Sequence, residues 1–414
     1  MEGTTGADSS GPGRFAQIRS SMRQPKDAPP PSNLRRTMHA SGWMYSSRAL
    51  VFGWALLLTH QFGIADYGIY AIAFAAGAVL GVPLDSYFTI RAPRVSQDVF
   101  DGERTTRVLI GLTLVFLGWA MWPFTTAFLG GFAIGKAGID VCFQASRSHL
   151  IRDGHPDRAQ RADAARQVIG IAMGTAYVLL FPGATIEVAA LVYLAGTAIP
   201  ILSGVRNLVV HPPVRPELTS RTATILGESI GGVAYVQAEV ILLGLLVSST
   251  SAGYYSFGAT IVWSLAALGQ SFAYTFHEGM RQSRGDVNTG PPLRTALRLS
   301  VATGVVVATI AVALRLVELD QALWLTFAWL APVSFLRTLS SVSTVVLTMQ
   351  HRDIFRLRVT AMGLVVKIGL IVLLSSHGGP GAAVAFLVSD LLVSGMYTSS
   401  VYGRRGRARV DGDG

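Results

Sequence analysis

The sequence predicts an all-α, polytopic membrane protein of about twelve transmembrane helices, and three observations carry that expectation. Half of its 414 residues are hydrophobic and only 14% are charged, with a mean hydropathy of +0.45. The chain breaks into apolar stretches of about 20 residues, long enough to cross ~30 Å of hydrocarbon. Basic residues gather in every second connection between those stretches, as the positive-inside rule requires of a multi-span protein.

The expected spans follow in order. The first, 40–60, is broken only by Arg48 and ends before Gly63. The second, 66–90, holds Asp66 at one end and Asp85 near the other. The third, 107–124, is uncharged after Arg107 and stops at Pro123. The fourth, 126–146, carries Lys136 and Asp140. The fifth, 166–183, is uncharged beyond Arg166 and closes on Pro182-Gly183, a helix-ending pair. The sixth, 185–206, has charges only near its ends. The seventh, 223–247, contains Glu228 and Glu239, whereas the eighth, 252–276, contains no charge. The ninth, 296–316, is uncharged between Arg298 and Arg315. The tenth, 320–349, has Arg337 as its one interior charge; 358–376 and 380–402 hold Lys367 and Asp390.

Sorting arginine and lysine by connection fixes the expected orientation. Arg14 to Arg36, Arg91 to Arg107, Arg147 to Arg166, Arg206 to Arg221, Arg281 to Arg298, Arg352 to Arg358 and Arg404 to Arg409 all fall on one side. The opposite turns are short and share Arg315. Both termini and all basic loops are therefore expected in the cytoplasm of a multi-pass cell-membrane protein, which requires an even number of spans. The same topology accounts for the net charge of +10, so nucleic acid is not an expected partner. The lone Cys142 falls inside a span and excludes an intramolecular disulfide.

Residues 1–37 are rich in Gly, Ser and Pro and read as a disordered cytoplasmic tail, with span one a retained signal anchor. Residues 403–414 read as a short basic tail. The linker 208–222 contains Pro212, Pro213 and Pro216 and separates a first lobe, 38–207, from a second, 223–402. Gly68-Ile69-Tyr70 and Gly253-Tyr254-Tyr255 stand at matching places in the two halves. Such parallel repeats are a common plan of secondary transporters, with the substrate site between them.

Several motifs carry no chemistry. Gly130 to Lys136 has the spacing of a phosphate-binding loop, but Ala137 replaces the magnesium-holding Ser or Thr and no strand precedes it. Gly77-x-x-x-Gly81, Gly131-x-x-x-Gly135, Gly170-x-x-x-Gly174 and Gly227-x-x-x-Gly231 read as close helix contacts. His149 and His155 lie in a basic loop without metal-ligand spacing, and no nucleophile–base set suggests hydrolysis. No cofactor, metal or enzymatic activity is expected.

Charges within spans are the informative residues, because each costs about 2.5–3.5 kcal/mol at mid-membrane on insertion scales and should face protein or water. Lys136, Asp140 and Gln144 form one polar stripe, either an intrahelical pair or part of a site. Glu228 and Glu239 are about three turns apart and share a face. Lys367 and Asp390 stand at one depth and are expected to bridge neighbouring helices. Asp85 suits a helix-end anchor, while Glu187, Glu318 and Asp320 suit a solvated outer mouth. Arg48, Glu228, Glu239 and Arg337 lack sequence-near partners and are expected to line the cavity. That combination fits an anionic substrate moved by cation coupling.

Residues Ser47-Arg48-Ala49-Leu50 and Phe62-Gly63-Ile64-Ala65-Asp66-Tyr67-Gly68-Ile69-Tyr70 resemble the opening of Wzx-type polysaccharide flippases, of the multidrug/oligosaccharidyl-lipid/polysaccharide exporter superfamily. Ser251-Ala252-Gly253-Tyr254-Tyr255-Ser256-Phe257-Gly258-Ala259 is similar to that family's entry to the eighth helix. The resemblance in layout covers about residues 38–402. It implies two six-helix lobes around a central cavity, and alternating access that moves a polyprenyl-diphosphate-linked oligosaccharide outward for cell-surface polysaccharide synthesis. It also implies membrane lipids, a glycan polymerase or glycosyltransferases as partners. By that resemblance Arg48 engages the diphosphate; the charges within the spans themselves mark Arg337 and Lys136 as further substrate-contact candidates and Glu228, Glu239 and Asp140 as ion-coupling candidates. Phe276-His277-Glu278-Gly279-Met280 departs from the family, where a Pro commonly begins that loop. The runner-up is a major facilitator-type or multidrug transporter, since Gly81-Val82-Pro83-Leu84-Asp85 matches the start of a facilitator loop signature. Ser86 to Ile90 lacks its later basic and glycine positions. A polytopic polyprenyl-sugar glycosyltransferase is disfavoured by the short outer turns.

Overall fold

A computed structural model describes residues 33–403 except 93–94, 122–127, 154, 209–210, 217–219, 277–278, 281–282 and 284–285. Most of the expected N-terminal tail, all but the first residue of the C-terminal one and part of the central linker lie outside the described residues. Among those described there are twelve long helices and no strand. The first half contains α1 (Asn33–Phe62), α2 (Ile64–Arg91), α3 (Gln97–Met121), α4 (Phe128–Arg152), α5 (Pro156–Leu180) and α6 (Ile186–Leu208). The second contains α7 (Ser220–Leu246), α8 (Ser249–Tyr274), α9 (Leu293–Leu316), α10 (Gln321–Met349), α11 (Asp353–Leu373) and α12 (Gly378–Tyr402). Six of them, α2, α3, α7, α9, α10 and α12, carry windows apolar enough to cross a membrane on composition alone.

Several helices outrun their apolar spans. α1 begins at Asn33, inside the segment expected to be tail, and α5 begins at Pro156, ten residues before its apolar stretch. Hydropathy marks only the hydrocarbon-facing part, whereas intrahelical hydrogen bonding continues as readily in water. Proline at the first turn of α5 fits, because its missing N–H has no intrahelical acceptor there.

Within the first half, α3 packs on α4, α2 on α4, and both α1 and α6 on α5; within the second, α10 packs on α8, α9 and α12, and α11 on α7 and α12. Three of the four small-residue motifs make such contacts. A Cβ on Gly118 of α3 would sit 2.7 Å from the Gly131 carbonyl oxygen, and one on Gly77 of α2 would sit 2.9 Å from that of Ala133. Gly170 lies against Tyr193 and Thr197 of α6, and Gly174 against Trp54 of α1. The fourth pair departs from expectation: Gly227 and Gly231 face open space.

The main contacts between halves run through α2, against α7 and α8, with a thinner contact of α1 on α8. The repeated Gly-x-Tyr segments make this junction. A Cβ on Gly68 would overlap the Ser249 carbonyl oxygen, while one on Gly253 would sit 2.5 Å from that of Ile64. The first turns of α2 and α8 thus cross backbone to backbone, each through its own glycine. Tyr70 and Tyr255 turn inward behind them and are buried. Farther along, Ser229 of α7 donates to Ser86 of α2 at 2.7 Å.

Candidate functional site

Intramembrane charges collect into a cluster in each half, with Arg48 at the junction. In the second half, the Lys367 ammonium on α11 pairs with Glu239 of α7 and donates to the Tyr235 carbonyl at 2.7 Å. The rings of Tyr235 and Phe386 lie 3.6 and 3.7 Å from it. Asp390 of α12 accepts from the Tyr235 hydroxyl at 2.5 Å and from Arg337 of α10 at 3.2 Å. Glu239, Lys367 and Asp390 are each 0% exposed. Two carboxylates and two cations close a neutral, aromatic-walled network, the arrangement that makes buried charge tolerable.

Three expectations change here. Glu239 does not line a cavity, because Lys367 covers it. Lys367 bridges to Glu239 and not to Asp390, whose partner is Arg337. Arg337 therefore has a carboxylate on one edge, although it also lines a crevice described below. Sequence gave the depth of each charge along its helix but not the azimuth that selects a partner. Glu228 does share the α11-facing side of α7 with Glu239, and there it pairs with Arg356.

In the first half, Lys136 donates to Asp140 at 2.6 Å one turn on, and Arg166 of α5 reaches the other Asp140 oxygen at 2.7 Å. Arg166 also meets Asp163 at 3.3 Å. The expected intrahelical pair exists but belongs to a larger neutral network. Lys136 is 6% exposed and lies 4.1 Å from the Phe74 ring, so its ammonium is enclosed; the Asp140 side chain keeps 28% exposure. Asp85 is held by Arg107 and accepts from Thr89 at 3.0 Å near the end of α2, in keeping with a helix-end anchor. Asp320 caps α10 by accepting from the Ala322 N–H at 2.8 Å.

Arg48 is different. Half-buried on α1, it donates to the Trp263 main-chain oxygen on α8 at 2.9 Å. Among the described residues no carboxylate pairs with it. The Trp263 ring in turn lies 4.5 Å from the Arg337 guanidinium. Two residues expected in the cavity thus flank one tryptophan at the junction, Arg48 on its backbone and Arg337 on its ring. Phe52 and Phe257 continue the α1–α8 contact at 4.9 Å.

The crevice beside Arg337 has a volume of about 310 Å³ and is lined from α8, α10 and α11, with Arg356 on its wall. Arg356, Arg166 and Trp263 were not legible as site residues. The first two sit where basic loop residues are expected, and nothing marks an uncharged aromatic as an arginine platform. No group of His, Cys, Asp and Glu suited to a metal occurs among the described residues.

No family model and no curated protein matches this sequence. Solved structures do share its fold. The lipid II flippase MurJ, in an inward closed conformation, aligns with a TM-score of 0.61 and 14% identity over 87% of each chain. The MATE multidrug transporter DinF-BH aligns at 0.60 and 14% identity, covering 93% of this chain and 98% of that one. An inward-facing multidrug resistance MATE family transporter of the MOP superfamily aligns at 0.60 and 13% identity, over 90% and 94%. The chain has the fold of MOP-superfamily membrane transporters.

Proposed function

We propose that this protein is a secondary transporter that flips a polyprenyl-diphosphate-linked oligosaccharide across the cytoplasmic membrane, for cell-surface polysaccharide assembly. One observation carries the reading: Arg48 is a half-buried guanidinium at the junction of the halves that donates to a neutral carbonyl and, among the described residues, has no carboxylate partner. An unneutralised cation at that depth is costly without an anion to receive. Guanidinium offers a diphosphate paired donors and stays charged at any working pH. Trp263 ties Arg48 to Arg337, so an anion on one is felt by the other.

Coupling falls to Asp140, whose side chain keeps solvent access between two cations. Glu239, closed off by Lys367, leaves that role. Glycosyltransferases or a glycan polymerase would supply and consume the lipid-linked sugar on either side.

Efflux of a cationic drug is the second reading, favoured by the fold shared with multidrug transporters. It needs an unmatched carboxylate to receive the cation. Asp140, Glu228, Glu239 and Asp390 are each matched to Lys or Arg, which favours an anionic substrate.

The test uses purified protein in vesicles with a fluorescent lipid-linked oligosaccharide, scored by access of an external quencher and, in parallel, for glycosyl transfer. Protein-dependent movement without transfer is expected, slowed about tenfold by Arg48→Lys, ~1.4 kcal/mol. Asp140→Asn should abolish its ion dependence. Uptake of cationic dyes with no movement of the lipid-linked sugar replaces this reading with the multidrug one.

A further inference from the structure

The crevice between α8, α10 and α11 opens where the α10–α11 connection lies, at the end bearing the basic loops. Arg337 and Arg356 line it, with the hydroxyls of Tyr274, Ser340 and Thr344 and the amide of Gln270. Among the described residues no carboxylate is on its wall. Its volume of about 310 Å³ matches the lower end of small-molecule sites, roughly 300 Å³.

The two guanidiniums are incompletely used. Arg337 gives one terminal nitrogen to Asp390, and Arg356 is held by Glu228 and, at 3.4 Å, by Asp353. The Nε of each is buried with no acceptor among the described residues. A buried N–H left unpaired costs about 1–3 kcal/mol, and here two such donors belong to cations on one wall. Glu228 keeps about a quarter of its side chain exposed, at 24%, so it can swing into water when it leaves Arg356.

We propose that this crevice is a phosphate-group subsite and that Glu228 is its placeholder. An incoming phosphate displaces the Glu228 carboxylate from Arg356 and accepts from Arg356 and Arg337 together, with the hydroxyls completing its shell. Planar guanidinium forks suit phosphate oxygens, and a carboxylate is the natural internal substitute for them. The subsite is lined from α8, α10 and α11 and not from α1, so it adds an entry position for the anionic head of the substrate. Which molecule carries the phosphate rests on the transport reading above; the binding itself does not.

The experiment titrates inorganic pyrophosphate into purified full-length protein in phosphatidylcholine nanodiscs, by calorimetry and by tryptophan fluorescence. Trp263, stacked on Arg337, supplies a local reporter. Saturable binding is expected, at least tenfold weaker in Arg356→Gln and in Arg337→Gln. Glu228→Gln should bind several-fold tighter, because the placeholder no longer competes. Arg356→Lys, which keeps the charge but loses the fork, should fall between and guards against misfolding as the cause. Affinity unchanged across these variants, or weakened by Glu228→Gln, overturns the subsite. Repeating the titration in phosphatidylglycerol discs separates the sources of phosphate. With the arginine dependence in place, competition there assigns a membrane-lipid head group and its absence assigns the substrate's own diphosphate. A protein that binds pyrophosphate this way but flips no lipid-linked sugar keeps the subsite and sinks the transport reading. Flipping with an affinity blind to all these substitutions does the reverse.

Discussion

Lys367 and Glu239 show how a charge can be costly and structural at once. Both are fully enclosed, and the ammonium touches two aromatic rings, a carbonyl and one carboxylate. Removing one partner strands the other in a dry site, where breaking such a pair costs about 3–5 kcal/mol, while replacing both by apolar residues is often neutral. Glu239→Gln and Lys367→Met are therefore each expected to lower the unfolding temperature in detergent sharply. The double variant Glu239→Leu, Lys367→Met, apolar at both positions, should recover most of the loss. A Glu239→Gln protein as stable as the parent would show that Lys367 does not depend on it. Arg48 predicts the opposite: with no carboxylate partner among the described residues, Arg48→Gln should leave stability unchanged or raised while flipping falls.

At the scale of elements, glycines divide into those that let helices touch and those that do not. Gly68 and Gly253 set the crossing of α2 and α8 by backbone contact. Gly253→Val forces a side chain onto the Ile64 carbonyl and should separate these helix ends, seen as lost cross-linking between cysteines placed at Ile64 and Ser249. Gly227 and Gly231 face open space, so alanine there should be neutral or stabilising by up to about 1 kcal/mol, through helix propensity. Thermal unfolding of the Gly227→Ala, Gly231→Ala protein checks this. Destabilisation would mean that α7 gains a close neighbour in another transport state.

For the whole molecule, the placement of basic loops predicts one orientation and an even number of spans. Reporter fusions in the tails should report the cytoplasm, and one in the turn at Ser248 to Ala252 the outside. A tail found outside would overturn the map. Among the described residues the two halves meet mainly along α2, α7 and α8, with a thinner seam between α1 and α8. That seam joins Arg48 to Trp263, and the transport proposed above would have to open and remake it.

The sequence by itself determined the helices and their number. Membrane spans declare themselves through composition over about 20 residues, because hydrocarbon excludes unpaired backbone and charge wherever the helix packs. It also placed Gly68 and Gly253 at equivalent positions, and it identified which charges lie within spans. The tertiary structure decided how those charges pair. Lys367 chose Glu239 over Asp390, Arg337 took Asp390, and Arg356, indistinguishable in sequence from a loop arginine, became a wall of the crevice. Partner choice depends on the rotation and neighbours of each helix, set by side-chain packing among elements distant in the chain. A polar position in one span carries depth, while its facing direction is fixed only when the other helices are in place.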